Sequence, residues 1–439
     1  MRPVGPDFVP SPGSGRVRLL RTSDDTSLVH YVIDAPWLYQ RPGNPYLGPD
    51  GQPWPDNQRR FALLGWLGAQ LAGGRFDPAW SPQIVHCHDW HAGLVPAWLS
   101  ERGPPDARSL FSIHNVAFQG RFPGNGFAEL GLSARWFSPD GLEFHGDLSF
   151  MKAALQSASA IATVSPTYAA ELQQPEFGHG LDGVIRQRAA NLFGILNGID
   201  AELWDPATDA AIAARYDVHN PAGRSANRDA LLARFKLQPV GNDGDTLPFV
   251  MGVVSRLTDQ KGIDLIVQAL PALLDGPSRM VVLGNGAPSL ENRLRAATSA
   301  FAGKLAFDQG FDEALARQIY AGVDALLVPS RFEPCGLTQL FAMRYGAIPI
   351  VRQTGGLADT VCDVDQADAD RAGNGFGFRP ATPTALVQCV ARARALFAQT
   401  RAWQALVRTA MDQDHSWPFA AAEYVRRYRQ IVGEDNADV

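Results

Sequence analysis

The sequence predicts an α/β protein in two lobes, each a parallel sheet flanked by helices. Three observations lead there. Short apolar runs rich in β-branched residues alternate with helical patterns along the whole chain, as strands covered on both faces do. At 439 residues the chain exceeds what one hydrophobic core supports, and its 46% apolar residues can fill more than one. Residues 197–247, rich in Asp, Asn, Pro and Gly, part the strands into two sets and read as a hinge followed by an irregular connection. Two Rossmann-like lobes with a cleft between them follow.

In the first half the candidate strands are residues 29–33, 84–87, 110–113, 161–164 and 194–196; in the second, 250–254, 280–283, 305–307, 325–328 and 348–351. Helical spacing of Ile263, Ile266, Ala269, Leu270 and Leu273 places a helix directly after the 250–254 strand. Further helices are expected from near His91, from about Gly336, and over 417–432 after the turn His415-Ser-Trp-Pro418.

Net charge is −6 and the isoelectric point near 5.9, so no basic surface of the size that nucleic acid or anionic lipid requires is present. Any bound phosphate must be held by local cations. No stretch approaches the length of a membrane helix, and the first twelve residues lack the apolar core of a secretory signal, which makes a soluble cytoplasmic enzyme the expectation. Cys87, Cys335, Cys362 and Cys389 are widely spaced, with no C-x-x-C pair, and read as reduced thiols. Lysines occur only at Lys152, Lys236, Lys261 and Lys304, so a lysine inside a ligand loop hints that a compact ammonium is needed there, chance placement being the plain alternative.

Two segments at strand ends carry the chemistry. Ser255-Arg-Leu-Thr-Asp-Gln-Lys-Gly262 follows the 250–254 strand and sets Arg256 and Lys261 on a strand-to-helix loop, where open α/β sheets hold ligands. Pro329-Ser-Arg-Phe-Glu-Pro-Cys-Gly-Leu-Thr-Gln339 follows the 325–328 strand and leads into a helix whose first N–H groups favour an anion, with Glu333 just before it. Together they look like a phosphate clamp. Each has a plainer reading, solvated charges for the cations and an N-cap for Glu333.

His86, His88, Asp89 and His91 have the residue types of a metal site, but alternation turns Cys87 away from His86 and His88, and the side chains fan out around a strand end. His114 and Asn115 close the next strand. Asp363-Val-Asp365 superficially has the metal-binding D-x-D form but lies in an acidic run reaching Asp370 and reads as a solvated loop. Gly284-Asn-Gly286 permits close approach of a nucleotide and is weak alone. Eight of the ten tryptophans precede Asp205; some could stack on sugar rings, core packing being the commoner use.

The patterns S-R-L-x-x-Q-K-G and S-R-F-E-P-C-G-L-T-Q closely resemble those of the bacterial glycogen synthases and plant starch synthases. The resemblance extends through His86-Cys-His-Asp-Trp-His-Ala-Gly93, Ile113-His-Asn115, Thr163-Val-Ser-Pro-Thr-Tyr168, Leu196-Asn-Gly-Ile-Asp200 and Thr354-Gly-Gly-Leu-Ala-Asp359, from about Tyr31 to about Trp417. It implies the glycosyltransferase B fold with an active site in the cleft between lobes. Residues 1–196 would form an acceptor-side lobe, 197–417 the nucleotide-sugar lobe, and 418–439 a helix returning to the first. It further implies a retaining transfer of glucose from ADP-glucose to the 4-hydroxyl of glycogen or another α-1,4-glucan without metal or other cofactor. Arg256 and Lys261 would hold the diphosphate, aided by backbone N–H groups of Leu337 and Thr338, with Gly284 and Asn197 beside the donor. Glu333, His114 and Asp89 would serve the reacting glucose, and Tyr46, Asn115 and His91 the sugar or acceptor.

Two departures stand out. Many related transferases carry a second glutamate eight residues after the first, where this chain has Phe341, which leaves the ribose contact unassigned. The family also begins with a strand and a lysine-containing Gly-Gly loop, in place of which stands a Pro- and Gly-rich segment over residues 1–15. The Gly355-Gly356 pair cannot substitute, since it belongs to the second lobe. A misplaced start or a fragment would explain the difference; the rival reading is a catalytically inactive glucan-binding or regulatory relic. A metallohydrolase built on the histidine cluster would require activity that chelators abolish.

Overall fold

The computed structural model describes residues 1–3, 15–22, 28–104, 106–239, 247–368 and 371–434. The chain forms two compact units, one of residues 1–164, 169–194 and 424–439, the other of residues 165–168 and 195–423.

Six parallel strands form the centre of the second unit, in the spatial order Leu305–Gln309, Ser278–Gly284, Phe249–Val254, Ala325–Val328, Ile348–Arg352 and Phe376–Phe378. Numbered along the chain, that order is 3-2-1-4-5-6, so the sheet winds one way from its first strand and the other way from its fourth. Between those two strands the flanking connections diverge and leave a crevice beyond the carboxyl ends, the position where such sheets bind ligands. The strands are nearly all buried, as Val250, Met280, Val281, Leu326 and Ile350 show, because helices cover them, Ile263–Leu273 and Pro383–Phe397 packed together and Glu313–Gly322 against the Phe249–Val254 strand. Asp324 locks the two central strands at the opposite end: its carboxylate accepts the Val250 N–H at 2.8 Å and pairs with Arg228 at 2.5 Å.

The first unit has a smaller parallel sheet, ordered Leu192–Gly194, Ala160–Thr163, Arg108–Ile113 and Ile84–His88. Against it, Tyr424, Tyr428 and Ile431 of the helix Trp417–Val432 pack on Leu110, Ala160 and Ala162. The helix spans the residues expected, but the division between units falls inside it, at Tyr424 rather than at residue 418, and residues 165–168 group with the second unit. Thr167 explains the latter, since its N–H and hydroxyl both donate to the Asp359 carboxylate, at 3.0 and 2.6 Å.

Other expectations are corrected. The run at 29–33 forms Tyr31–Asp34, which pairs antiparallel with Arg18–Arg21 and lies outside the parallel sheet; alternating apolar residues do not specify strand direction. The run at 194–196 reads as extended, whereas the strand is Leu192–Gly194. The connection 197–247 contains the helix Gly223–Arg234, whose buried Asn227 accepts the N–H groups of Ala213 and Ala214 and so fixes the preceding loop. Three short antiparallel strands, Arg121–Pro123, Glu143–Phe144 and Asp147–Ser149, gave no periodic signal. Most of the opening segment 1–15 lies outside the described residues. No helix among the described residues is long and apolar enough to cross a membrane.

His86 couples the last helix to the smaller sheet. Its Nδ1 lies 2.7 Å from the Tyr428 hydroxyl and its Nε2 2.7 Å from Ser112 Oγ, and burial, with smaller contributions from His88 and His114, pushes the imidazole from 6.5 down to about 3. The fold therefore holds this ring neutral, and the unfolded chain takes up the proton first. Stability is unaffected above pH 6.5 and is lost as pH falls from there toward 3. Between pH 7 and 5 this group should cost about 2 kcal/mol, and urea titrations of His86→Gln should show a correspondingly flatter pH dependence than the wild type; equal slopes would remove His86 as the cause.

Candidate functional site

In the second unit, the loops after the first and fourth strands meet over the crevice. Lys261 Nζ contacts Glu333 Oε2, which also accepts from Ser330 Oγ at 2.9 Å. Arg331 stitches the loops further: its N–H donates to the Gln260 carbonyl at 2.7 Å, and its guanidinium takes the Asp264 carboxylate in a two-pronged pair at 2.6 and 2.8 Å. Gly262, with φ of 68°, is required where it stands, because a Cβ there would lie 2.1 Å from the Pro329 carbonyl oxygen. Glu333 is 6% exposed and Lys261 partly buried, so the pair is a fixed feature of the loops. Arg256, by contrast, is exposed; its carbonyl accepts from Ser255 Oγ and the Thr258 N–H, but its guanidinium has no hydrogen-bond or ion-pair partner among the described residues.

The helix expected from about Gly336 begins later, at Thr338, with Leu337 as its cap residue. Gly336 adopts φ of 72°, a left-handed turn that continues the loop by two residues. Leu337 and Thr338 thus bring the free N–H groups of the first turn to the same loop as Glu333. Asn197 lies alongside; its backbone N–H is directed at the Cys335 sulfur. Burial pushes that thiol up to about 12, which rules it out as a nucleophile at neutral pH.

Gly355 and Gly356 support this loop from behind. A Cβ on Gly355 would meet the Glu333 carbonyl oxygen at 2.0 Å, and one on Gly356 the Cys335 oxygen at 2.1 Å; the Gly356 N–H donates to the Glu333 and Pro334 carbonyls, at 3.1 Å each. The segment therefore positions Glu333, a role its sequence did not disclose. Gly284 also answers to its neighbours, since a Cβ there would lie 1.9 Å from the Ser255 oxygen, at the root of the Arg256 loop. The Phe341 ring stacks on Trp204 at 3.9 Å, packed against the core.

Asp363 departs from the solvated reading: it is 4% exposed, pairs with Arg392, and accepts the N–H groups of Asp365 and Gly377 at 2.9 and 2.6 Å. Asp370, at the end of that acidic run, lies outside the described residues. Sequence reasoning also passed over Phe311, which is 84% exposed beside the carboxyl end of the sheet, where the Gly310 N–H donates to the Gly284 carbonyl.

The first unit brings the other candidates together. Asp89 has φ of 54°, unusual for a residue with a side chain, and its Oδ1 accepts the N–H groups of His114 and Asn115 at 2.8 and 3.4 Å. One carboxylate oxygen therefore holds the backbone of the next strand end, a duty the sequence reading did not give it. A short 3₁₀ turn, Trp90–Ala92, precedes the helix Leu94–Arg102, so the helix starts after His91 instead of at it. The turn stacks His91 on Trp90 at 4.2 Å and sets its Nε2 2.9 Å from the Tyr46 hydroxyl. Burial lowers the pKa of His91 despite the nearby Asp89, which keeps the ring neutral and able to act as acceptor or donor. Over these side chains opens a cleft of about 820 Å³ lined by Tyr46, Asp89, His91, Asn115, Phe118 and Phe122, polar tips set among aromatic faces. Such a mixture suits sugars, which present hydroxyls at their rims and C–H groups on their faces. His86 and His88 spend ring nitrogens on protein partners, and among the described residues no group of His, Cys, Asp and Glu is arranged to hold a metal ion.

Residues 7–187 match the family model described as starch synthase catalytic domain, and residues 248–395 match glycosyl transferases group 1. A glycogen synthase of Rhodopseudomonas palustris is 49% identical over 423 residues, covering 96% of this chain and 86% of that protein. The catalytic domain of starch synthase IV from Arabidopsis thaliana, solved with ADP and acarbose, superposes with a TM-score of 0.82 at 30% identity, covering 95% of this chain and 85% of that one. Sucrose-phosphate synthase from Thermosynechococcus elongatus, at 19% identity, TM-score 0.56 and coverage of 88% and 82%, shares the fold. With both loops over the switch point and the histidine-lined cleft in place, these matches make the chain a member of the glycogen synthase and starch synthase family of glycosyltransferases.

Proposed function

We propose that this hexosyltransferase moves glucose from ADP-glucose to the non-reducing 4-hydroxyl of an α-1,4-glucan, with retention at the anomeric carbon and without a metal ion. The observation that carries the reading is the Lys261–Glu333–Ser330 cluster at the switch point, with the exposed Arg256 on the same loop as Lys261. In the reaction the bond from the anomeric carbon to the phosphate oxygen breaks, leaving positive charge on the sugar and negative charge on the diphosphate. The acceptor oxygen attacks on the face the diphosphate leaves, and its proton passes to the departing phosphate oxygen. No protein nucleophile is needed.

Each part of the site answers one of these demands. Arg256 and Lys261 counter the charge growing on the diphosphate, and the N–H groups of Leu337 and Thr338 add to them. Glu333 receives Lys261 and Ser330 through one oxygen, which leaves the other for a glucose hydroxyl. Asn197 and Gly284 border the donor. On the first unit, Asp89 fixes His114 and Asn115 for the sugar, and Tyr46 and His91 present a hydroxyl and an imidazole to the glucan. Phe311 offers an exposed ring to the nucleotide base at the edge of the sheet.

Incorporation of labelled glucose into glycogen tests the reading. Arg256→Ala and Lys261→Ala should each lower kcat/KM about a hundredfold or more, the usual cost of one transition-state donor. Glu333→Ala should lose most turnover, and full turnover in that variant would refute its role. EDTA should leave the rate unchanged; its abolition by chelation would instead favour the metallohydrolase reading, and a folded wild type that transfers no glucose would favour the relic. Phe311→Ala should raise the KM for ADP-glucose several-fold at nearly constant kcat, as loss of a stacking contact worth about 1 kcal/mol does. An unchanged KM would release Phe311 from the base.

A further inference from the structure

His88 and His114 come from the ends of neighbouring strands. The parallel register sets His86 beside Leu110 and His88 beside Ser112, so His114 follows two residues beyond the partner of His88. Their rings meet: His88 Nδ1 lies 2.9 Å from His114 Nε2. Behind His88, at 4.0 Å between ring centroids and tilted by 34°, lies His86. That ring cannot turn freely, because both of its nitrogens are engaged, by Tyr428 and Ser112 at 2.7 Å each, and Tyr424 flanks it at 5.4 Å. His86 is a fixed base, His88 lies against it, and His114 is held by His88.

A hydrogen bond between two imidazoles carries one proton, so one nitrogen donates and the other accepts. The tautomer of His114 is then set by its neighbour. If His88 carries hydrogen on Nδ1, His114 Nε2 accepts and its own proton sits on Nδ1. The main chain of His114 is fixed separately by Asp89 Oδ1 at 2.8 Å, which leaves ring rotation and proton position as the freedoms that His88 removes. The ionisable groups around the pair are His86, Asp89 and, behind His86, Tyr424 and Tyr428. We propose that His88 is a positioning residue of the transferase: through its contact with His114 it fixes the orientation and tautomer with which that ring meets the glucose. This rests on the reading that His114 serves the sugar.

The test uses the full chain with His88→Ala and His88→Asn. In Ala the contact is gone; in Asn the amide nitrogen stands where Nδ1 stood. His88→Ala should lower kcat about tenfold or more with the KM for ADP-glucose within about twofold, and His88→Asn should recover most of the turnover. Nitrogen NMR of histidine-labelled protein, with the His114 signals assigned by their loss in His114→Gln, should show one tautomer in the wild type and a mixture in His88→Ala. A His88→Ala enzyme with wild-type kcat, or with an unaltered His114 spectrum, would overturn the proposal. Should the wild type transfer no glucose at all, the failure lies with the functional reading, and the NMR comparison still decides the pair.

Discussion

A lysine and a glutamate, 72 residues apart, meet over the point where the larger sheet changes direction, and much of the second unit is arranged to hold them there. The two strands that deliver them are locked at their other ends by Asp324. The loops that carry them are tied by Arg331 to Asp264 and to the Gln260 carbonyl, and are backed by glycines with no room for a side chain. A partly buried pair of this kind contributes little net stability once desolvation is counted. Its value lies in position: an ammonium and a carboxylate stand ready at a fixed separation before any substrate arrives, so less reorganisation is left for the reaction itself.

The first unit solves a different problem with weaker groups. Imidazole, tyrosine hydroxyl and asparagine groups, together with the Asp89 carboxylate and Arg121, line a cleft with aromatic walls, and burial keeps His91 uncharged. Hydroxyl, imidazole and amide groups set among aromatic faces suit a polymer of hydroxyls, whereas the doubly charged donor needs cations. The division of labour between the units thus follows the chemistry of what each is proposed to hold.

Most of the larger sheet was legible, because strands covered on both faces write themselves as apolar runs bounded by polar loops, and all five expected there exist. The sixth, Phe376–Phe378, is too short to announce itself. The smaller unit was harder: its strand at Tyr31–Asp34 has the right residues but the wrong direction, which only a partner can decide. At the site, residue types and spacing set Lys261 and Glu333 on strand-end loops, while the roles expected of Glu333, His114 and Asp89 came from the family resemblance. They did not disclose that Asp89 spends an oxygen on backbone, that Gly355 and Gly356 make room for the Glu333 loop, or that Asp363 is buried under Arg392. Such facts depend on which distant segment comes to lie alongside, and no local pattern records it.

The closing helix of the chain gives the molecule an order of assembly. Its final turns, from Tyr424 onward, belong to the unit whose other segments end at residue 194, while residues 195–423 supply nearly all of the second unit. On the ribosome, the later-encoded unit has every strand of its sheet before the earlier one receives its last piece. Until Tyr428 emerges, His86 lacks one of its two partners and Leu110 and Ala162 lack their cover. A nascent chain therefore carries an unfinished apolar face through most of its synthesis, and polypeptides that stop short of this helix would leave it open to chaperones and proteases.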